Sequence, residues 1–173
     1  MQSRQISRIQ AVRHPEGETL NKRLLTAFVE LDSSVFAHRS HFIDDRFENL
    51  YIAEERLPGL ADLIGFARDQ GQTVLGPAAP SLKCGFWINA MEPGQRTSRH
   101  SHEENDELLS GVYYISAGAD SGDILFHDDP FEIRVTPQPG LMLLFPPELV
   151  HSVEPNRSTQ LRLSVAFNFG PAS

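Results

Sequence analysis

The chain has 173 residues, 40% of them hydrophobic, with a formal net charge of -8 and an isoelectric point near 5.3. This length and apolar content predict a single domain, residues 1–173, with one buried core. The acidic balance argues against nucleic acid as a partner, because phosphate recognition requires clustered Lys and Arg. We expect a small molecule or a protein side chain as the substrate or ligand.

Cysteine content and hydropathy bear on the compartment of the protein. Cys84 is the only cysteine, so an intrachain disulfide is excluded and we expect an inert buried thiol. No apolar run approaches the roughly 20 residues that span a bilayer. The segment from Met1 to Arg4 lacks the apolar stretch of a signal peptide. These features predict a cytoplasmic protein with no membrane partner, and they leave its oligomeric state open, a homodimer being one option.

The first part of the chain, residues 1–80, is predicted to be mostly a helical buttress. Apolar residues recur at helical spacing within residues 19–32. A second helical pattern follows Pro58 and is predicted to end near Gly71. A short strand is predicted within residues 4–13, before a turn that contains Pro and Gly.

Two histidines lie between these helices, in residues 33–57. This segment shows no clear helical or strand period. We interpret His38 and His41 as surface loop residues, because no third ligand is spaced with them. They are therefore not part of the predicted site.

The second part of the chain, residues 81–173, is predicted to be a β-core that carries the site. Short apolar runs recur at roughly ten-residue spacing between turns, which is typical of a sandwich or barrel rather than of parallel βαβ units. The predicted strands are Lys83–Met91, Arg99–Glu103, Gly111–Ile115, Asp123–Phe126, Phe131–Val135, Leu141–Phe145, His151–Glu154 and Leu161–Phe169.

Three histidines of this β-core form a candidate metal site. His100 and His102 stand at i and i+2 of a predicted strand, so their imidazoles share one face. His151 follows the apolar run that ends in Phe145-Pro146-Pro147. Imidazole sets suit Zn, Cu, Fe or Ni, and three protein ligands leave coordination positions for substrate and for dioxygen or water.

Arg162 is a second candidate functional residue. It stands between Leu161 and Leu163 in an apolar strand pattern, so its side chain is expected on the face opposite theirs. A buried guanidinium is costly unless it meets an anion, and its planar fork matches a carboxylate. The pattern predicts that Arg162 binds a carboxylate.

These motifs resemble the Fe(II)- and 2-oxoglutarate-dependent dioxygenases, particularly a family of small proteins related to the prolyl-hydroxylase branch. The resemblance covers about half of the chain, from Phe86 to Phe169. The matching stretches are Trp87-Ile88-Asn89, His100-Ser101-His102, Ser110-Gly111-Val112-Tyr113-Tyr114, Asp123-Ile124-Leu125, Phe145-Pro146-Pro147, His151-Ser152-Val153-Glu154-Pro155 and Arg162-Leu163-Ser164-Val165-Ala166-Phe167-Asn168.

The resemblance implies a mainly β fold with N-terminal helices: a double-stranded β-helix, or jelly roll, of cupin-like shape that is buttressed by the helices. It makes His100 and His151 iron ligands. It makes Arg162 the residue that holds the distal carboxylate of 2-oxoglutarate, helped by Tyr114 and Ser164.

The position of the second ligand departs from the wider superfamily, which has Asp or Glu there. His102 stands at that position in this chain. We favour His102 as the third ligand, while Glu104 would be the alternative if the strand continues and presents its carboxylate on the same face.

The resemblance implies an oxygenase that uses Fe(II), 2-oxoglutarate and O2. Oxidative decarboxylation of 2-oxoglutarate to succinate and CO2 would drive hydroxylation of a C–H bond in the substrate. Trp87, Tyr113 and Phe126 are candidates for the pocket wall and equally for the core.

A metal-binding cupin is the alternative, as an isomerase, another dioxygenase or a ligand-binding module. The spacing from Gly94 through His100 and His102 to Glu107 is similar to the first cupin motif, and His151 would complete the ligand set. Arg162 favours the oxygenase, because a cupin has no need of an Arg at this place. An inert β-domain that has lost its metal is a third interpretation.

Overall fold

A computed structural model describes residues 8–43, 45–102 and 105–172. It contains two α-helices, eleven strands and two short 3-10 helices. The helices are α1 (Gly17–Val29) and α2 (Leu60–Leu75). The strands are β1 (Gln10–Arg13), β2 (His38–Ile43), β3 (Arg46–Tyr51), β4 (Leu82–Met91), β5 (Thr97–His100), β6 (Leu109–Ser116), β7 (Ile124–Asp128), β8 (Phe131–Val135), β9 (Leu141–Phe145), β10 (Val150–Val153) and β11 (Arg162–Pro171).

The strands form two antiparallel sheets. The large sheet has seven strands in the order β1-β9-β6-β11-β4-β3-β2, and the small sheet has four in the order β5-β10-β7-β8. Phe145 of the large sheet packs against Phe126 of the small sheet, with ring centroids 4.9 Å apart. Two antiparallel sheets facing each other, with non-consecutive neighbours, are the predicted double-stranded β-helix.

Strand β9 shows why its apolar run is continuous. Leu143 and Phe145 belong to the core between the two sheets, whereas Met142 and Leu144 belong to the core between the large sheet and the helices. Successive strand residues point to opposite faces, so a strand that is covered on both sides is apolar at every position. The large sheet is therefore the middle layer of the molecule.

Both helices use apolar stripes to cover the outer face of this sheet. In α2, Leu60, Leu63, Ile64 and Ala67 are buried at helical spacing. The predicted end near Gly71 is wrong. Gly71 is a residue of the helix, and a Cβ added to it would lie 3.3 Å from the Phe169 ring. The helix ends instead at Gly76, which has a φ of 85°. Its backbone N–H donates to the carbonyl of Gln72 and closes the last turn. Neither helix is long and apolar enough to cross a membrane.

The hairpin of β2 and β3 was not predicted from the sequence. His38 and His41 lie on β2 rather than in a loop, which corrects that part of the interpretation. Strand β2 is at the edge of the large sheet, and most of its side chains are at least partly exposed. An edge strand of this kind lacks the apolar alternation on which strand prediction depends. The described part of residues 1–80 therefore supplies three strands as well as the two helices.

Candidate metal centre

The three predicted metal ligands come together in a pocket lined by both sheets. His100 ends β5 and pairs directly with His151 of β10, so these imidazoles share a face of the small sheet. His102 lies beyond the end of β5, and the prediction that it continues the strand is wrong. Its backbone N–H donates to the carbonyl of Pro147 at 2.8 Å, which holds this segment beside the turn before β10.

The distances within the cluster fit a single metal ion. The ligand nitrogens of all three histidines lie within 4.8 Å of one another. Nε2 of His102 and Nε2 of His151 are 3.3 Å apart. Two nitrogens that each bind one ion at about 2.1 Å are separated by about 3.0 to 3.4 Å for angles from 90° to tetrahedral. The spacing of His102 and His151 therefore matches one shared ion, and a ligand nitrogen of His100 lies within 4.8 Å of both.

Backbone carbonyls orient two of the imidazoles. Nδ1 of His100 lies 2.7 Å from the carbonyl oxygen of Ser98, and Nδ1 of His151 lies 3.0 Å from that of Leu149. A carbonyl oxygen can only accept, so each Nδ1 carries the proton and each Nε2 has a free lone pair. Metal-binding histidines are commonly held in this way.

Burial keeps the imidazoles of His102 and His151 neutral at physiological pH. Desolvation, followed by the neighbouring His100, lowers the pKa of His151 to about 3. The same causes in the same order lower the pKa of His102 to about 4. A metal ion binds the neutral imidazole, so these side chains are in the ligand form at pH 7 without loss of a proton.

The predicted cosubstrate residues Arg162, Tyr114 and Ser164 line the same pocket as the histidines. Ser164 on β11 pairs with Tyr114 on β6 and with Asn89 on β4. Directly paired residues on neighbouring strands share a face, so these three form a polar row across the large sheet. Arg162 is two residues from Ser164 and points to the same face.

Arg162 is a buried cation, with 2% of its surface exposed. Its Nη1 donates to the carbonyl oxygens of Ser121 and Gly122, and its Cζ lies 5.3 Å from the centre of the Tyr114 ring. Within the described part of the chain, no carboxylate oxygen lies within 4.0 Å of a guanidinium nitrogen of Arg162, which is the limit for an ion pair. Desolvation lowers its pKa.

Two polar atoms of this pocket are buried without a hydrogen-bond partner in the described residues: Nε of Arg162 and the hydroxyl oxygen of Tyr114. Buried polar atoms are nearly always satisfied, so such atoms need an explanation. A carboxylate between them would accept from both and would balance the guanidinium charge. The pocket therefore fits an anionic ligand next to the histidine cluster.

Asn89 also lines this pocket, although no role for it was predicted from the sequence. Arg46 of β3 donates to the Asn89 side-chain oxygen at 3.2 Å. A guanidinium has only donors, so the Asn89 oxygen faces Arg46 and its amide nitrogen is available to the pocket. The Trp87-Ile88-Asn89 motif was the sequence feature that could have indicated Asn89 as a pocket residue. Arg46 and Glu48, two other buried charged residues near the site, lay in the segment without a clear pattern.

Other predicted residues have different outcomes. Trp87 lines the pocket, and Phe126 packs against His151 with centroids 5.8 Å apart. Tyr113 lies in the core under the helices, where its hydroxyl donates to Asn21 at 2.8 Å, so it is not a wall residue. Glu107 is not part of the histidine cluster and lines a different groove. Glu104 lies outside the described residues.

Fold and site together define a β-helix protein with a candidate three-histidine metal centre beside an anion pocket. Residues 85–136 and 129–168 match a family model described as "Putative 2OG-Fe(II) oxygenase". The chain thus belongs to the 2OG-Fe(II) oxygenases, the family indicated by its motifs, and the protein is a 2-oxoglutarate-dependent non-heme iron oxygenase. No curated protein sequence matches it.

Solved structures with the same fold include other oxygenases. The non-heme alpha-ketoglutarate-dependent carbocyclase SnoK from nogalamycin biosynthesis is 16% identical, with a TM-score of 0.74 over 95% of this chain and 80% of that one. A Pseudomonas putida prolyl-4-hydroxylase is 18% identical, with a TM-score of 0.71 over 96% and 94%. A Trichoplax adhaerens prolyl hydroxylase in complex with a hypoxia-inducible-factor peptide fragment is 13% identical, with a TM-score of 0.72 over 95% and 84%.

Proposed function

We propose that the protein is a hydroxylase in which His100, His102 and His151 hold Fe(II) and Arg162, Tyr114 and Ser164 hold 2-oxoglutarate. The observation that carries this proposal is the shared pocket: the three histidines and the buried, unbalanced Arg162 line the same cavity. A cupin needs a metal ligand set but no buried cation beside it. The position of Glu107 away from the cluster also gives the cupin alternative no support.

Three histidine ligands would leave coordination positions on a bound ion for the cosubstrate and for O2. Bound Fe(II) and 2-oxoglutarate would supply the oxidising chemistry, in which O2 is consumed and 2-oxoglutarate is split into succinate and CO2. The chain's own contribution is positional. The Ser98 and Leu149 carbonyls hold the tautomers of His100 and His151, and the Phe126 and Phe145 rings pack against His151.

The candidate anion pocket would hold 2-oxoglutarate in this proposal. Arg162 would neutralise the distal carboxylate, and its Nη1 contacts to two backbone carbonyls fix the direction of the guanidinium. The Tyr114 hydroxyl would donate to the same carboxylate, since it has no other described acceptor. Ser164 lies beside Tyr114 in the polar row and would supply a further hydroxyl.

A second cavity adjoins the first and is the proposed place of the substrate. It shares Trp87, His100 and His102 with the cosubstrate pocket, but Arg162 and Ser164 line only the first pocket. In this proposal the cosubstrate and the substrate would occupy two adjoining cavities, both lined by His100 and His102. A small molecule or a protein side chain would both fit this proposal. The cytoplasmic location, the single-domain organisation and a homodimer also stay predictions.

Metal analysis together with succinate release tests the proposed function. Protein purified without chelator should contain iron or take up one equivalent of Fe(II) under anaerobic conditions. With 2-oxoglutarate and air it should then release succinate. Protein that binds one metal equivalent but neither binds nor decarboxylates 2-oxoglutarate would favour the cupin alternative.

A further inference from the structure

Strand β3 places two charged side chains, Arg46 and Glu48, in the interior beside the metal centre. Arg46 is 8% exposed and Glu48 is 4% exposed. Charged residues are rarely buried to this degree unless they are paired or bonded. Both lie in the hairpin, outside residues 85–168 that match the family model. The burial of these two charged side chains therefore needs a structural or functional explanation of its own.

Arg46 joins the hairpin to the connection between β4 and β5. Its Nη2 donates to the carbonyl of Arg96 at 2.9 Å and to the hydroxyl of Thr97 at 3.2 Å. Its Nη1 donates to the carbonyl of Ala90 at 3.3 Å as well as to Asn89. These bonds hold the end of β4 and the start of β5, three residues before His100.

Glu48 adds a hydrogen bond that is closer to the metal centre than those of Arg46. Its Oε1 accepts the backbone N–H of Ser98 at 3.1 Å, and the carbonyl of Ser98 accepts Nδ1–H of His100 at 2.7 Å. The shortest distance from Glu48 Oε1 to Arg46 is longer, 4.0 Å to Nη2. Glu48 also lines the second cavity together with Ser98 and His100. Its closest described contact is thus with the residue that orients a metal ligand.

We propose that Glu48 is a positioning residue for His100, acting through the backbone of Ser98. The inference rests on the proposed function, in which His100 binds the metal. The Ser98 carbonyl sets the rotation of the imidazole, so the direction of the His100 Nε2 lone pair depends on where Ser98 is held. Among the described strands, β5 is at the edge of the small sheet and has β10 as its one neighbour. Glu48 supplies the missing constraint from the opposite sheet.

The test is titration of the metal-free full-length protein with Co(II) alone, read from the visible d–d absorption of the bound ion. Glu48→Asp keeps the charge but withdraws the oxygen from Ser98, whereas Glu48→Gln keeps an oxygen in reach and removes the charge. Loss of a partner that orients a metal ligand weakens metal binding by about 10- to 100-fold. We expect about tenfold weaker Co(II) binding and an altered spectrum for Glu48→Asp, and a wild-type spectrum with affinity within about threefold for Glu48→Gln.

Leu50→Ala is the matched control, because Leu50 lies on the same strand, packs on the helix-side core and lines neither cavity. It should lower Tm and leave the Co(II) affinity and spectrum unchanged. Wild-type affinity and spectrum in Glu48→Asp, or a Glu48→Gln that is the weaker binder of the two, would overturn the positioning role while leaving the metal site in place. Failure of the wild-type protein to bind Co(II) would overturn the site and this inference together.

Discussion

His100 and His151 lie directly opposite each other across the β5–β10 pair, with ring centroids 4.4 Å apart. Each imidazole donates from Nδ1 to a backbone carbonyl, so both Nε2 lone pairs are available to one ion. Strand pairing, rather than proximity in sequence, brings these ligands together across 50 intervening residues. The geometry of the pair leads to the first prediction.

Replacing either histidine of this pair should remove the metal without unfolding the protein. His100→Ala and His151→Ala each delete one of three ligands, and we expect both to lose stoichiometric iron by elemental analysis. His127→Ala is the control, because His127 lies on the neighbouring strand β7 and contacts Ser152 instead of the cluster. Full metal occupancy in His100→Ala or His151→Ala would contradict the assignment.

The third ligand can be identified by comparing His102→Ala with Glu107→Ala. We expect His102→Ala to lose more Co(II) or Fe(II) affinity, because Nε2 of His102 lies 3.3 Å from Nε2 of His151, whereas Glu107 is absent from the cluster. Glu104→Ala, outside the described residues, completes the series. A greater loss in Glu104→Ala would indicate a His-Glu ligand pair, and a greater loss in Glu107→Ala would favour the cupin.

Arg162→Leu should abolish tight binding of 2-oxoglutarate and leave metal binding unchanged. Leaving one partner of a buried ion pair uncompensated costs roughly 3 to 5 kcal/mol, which corresponds to about two to three and a half decades in affinity. Arg162→Lys keeps the charge without the planar fork and should fall between wild type and Arg162→Leu.

The measurement is titration of 2-oxoglutarate into the anaerobic Fe(II) protein, followed by the metal-to-ligand absorption band. Arg157→Leu is the control, since Arg157 is half exposed and pairs only loosely with Asp120. An Arg162→Leu protein that binds 2-oxoglutarate as tightly as wild type would contradict the proposed cosubstrate pocket.

Asn89→Ala should weaken 2-oxoglutarate binding by a smaller amount. A hydrogen bond to a charged group contributes about 1.5 to 3 kcal/mol, or about one to two decades in affinity. Asn168→Ala is the matched control, because Asn168 lines the second cavity and bonds Ser110, but does not line the cosubstrate pocket. Equal effects of the two substitutions in the same titration would contradict a role of Asn89 in binding 2-oxoglutarate.

The metal-free protein should lose stability as the pH falls below about 6.5. Burial holds the folded pKa of His102 near 4 and that of His151 near 3, below the ordinary value of 6.5. Between pH 6.5 and pH 4 the unfolded chain therefore binds more protons than the folded chain. The free energy of unfolding is highest above pH 6.5 and decreases toward pH 4. At one pH unit below 6.5 the decrease is about 1 kcal/mol per histidine. Tm measured against pH checks this, and His102→Gln should show a shallower decrease. A pH-independent Tm in the wild type would contradict it.

The sequence alone determined most of the β-core. Strands β8 and β9 have the predicted bounds, Phe131–Val135 and Leu141–Phe145, because turn residues flank both strands. Apolar and charged residues alternate in β8, which has no buried residue, whereas β9 is a continuous apolar run that is mostly buried. Residue type and spacing also indicated the three histidines and Arg162, and the resemblance to the oxygenase family indicated Tyr114 and Ser164. Each of these signals is contained within a few neighbouring residues, which is the range over which sequence patterns are informative.

Only the tertiary structure decided which residues meet. The β2–β3 hairpin depends on its pairing with β4, because its own pattern is too polar to predict an edge strand. His102 approaches His151 from a loop that is held by Pro147, and Glu48 reaches Ser98 from 50 residues away. Such contacts depend on strand register and on the packing of two sheets, and a shift of one residue would turn each side chain to the other face.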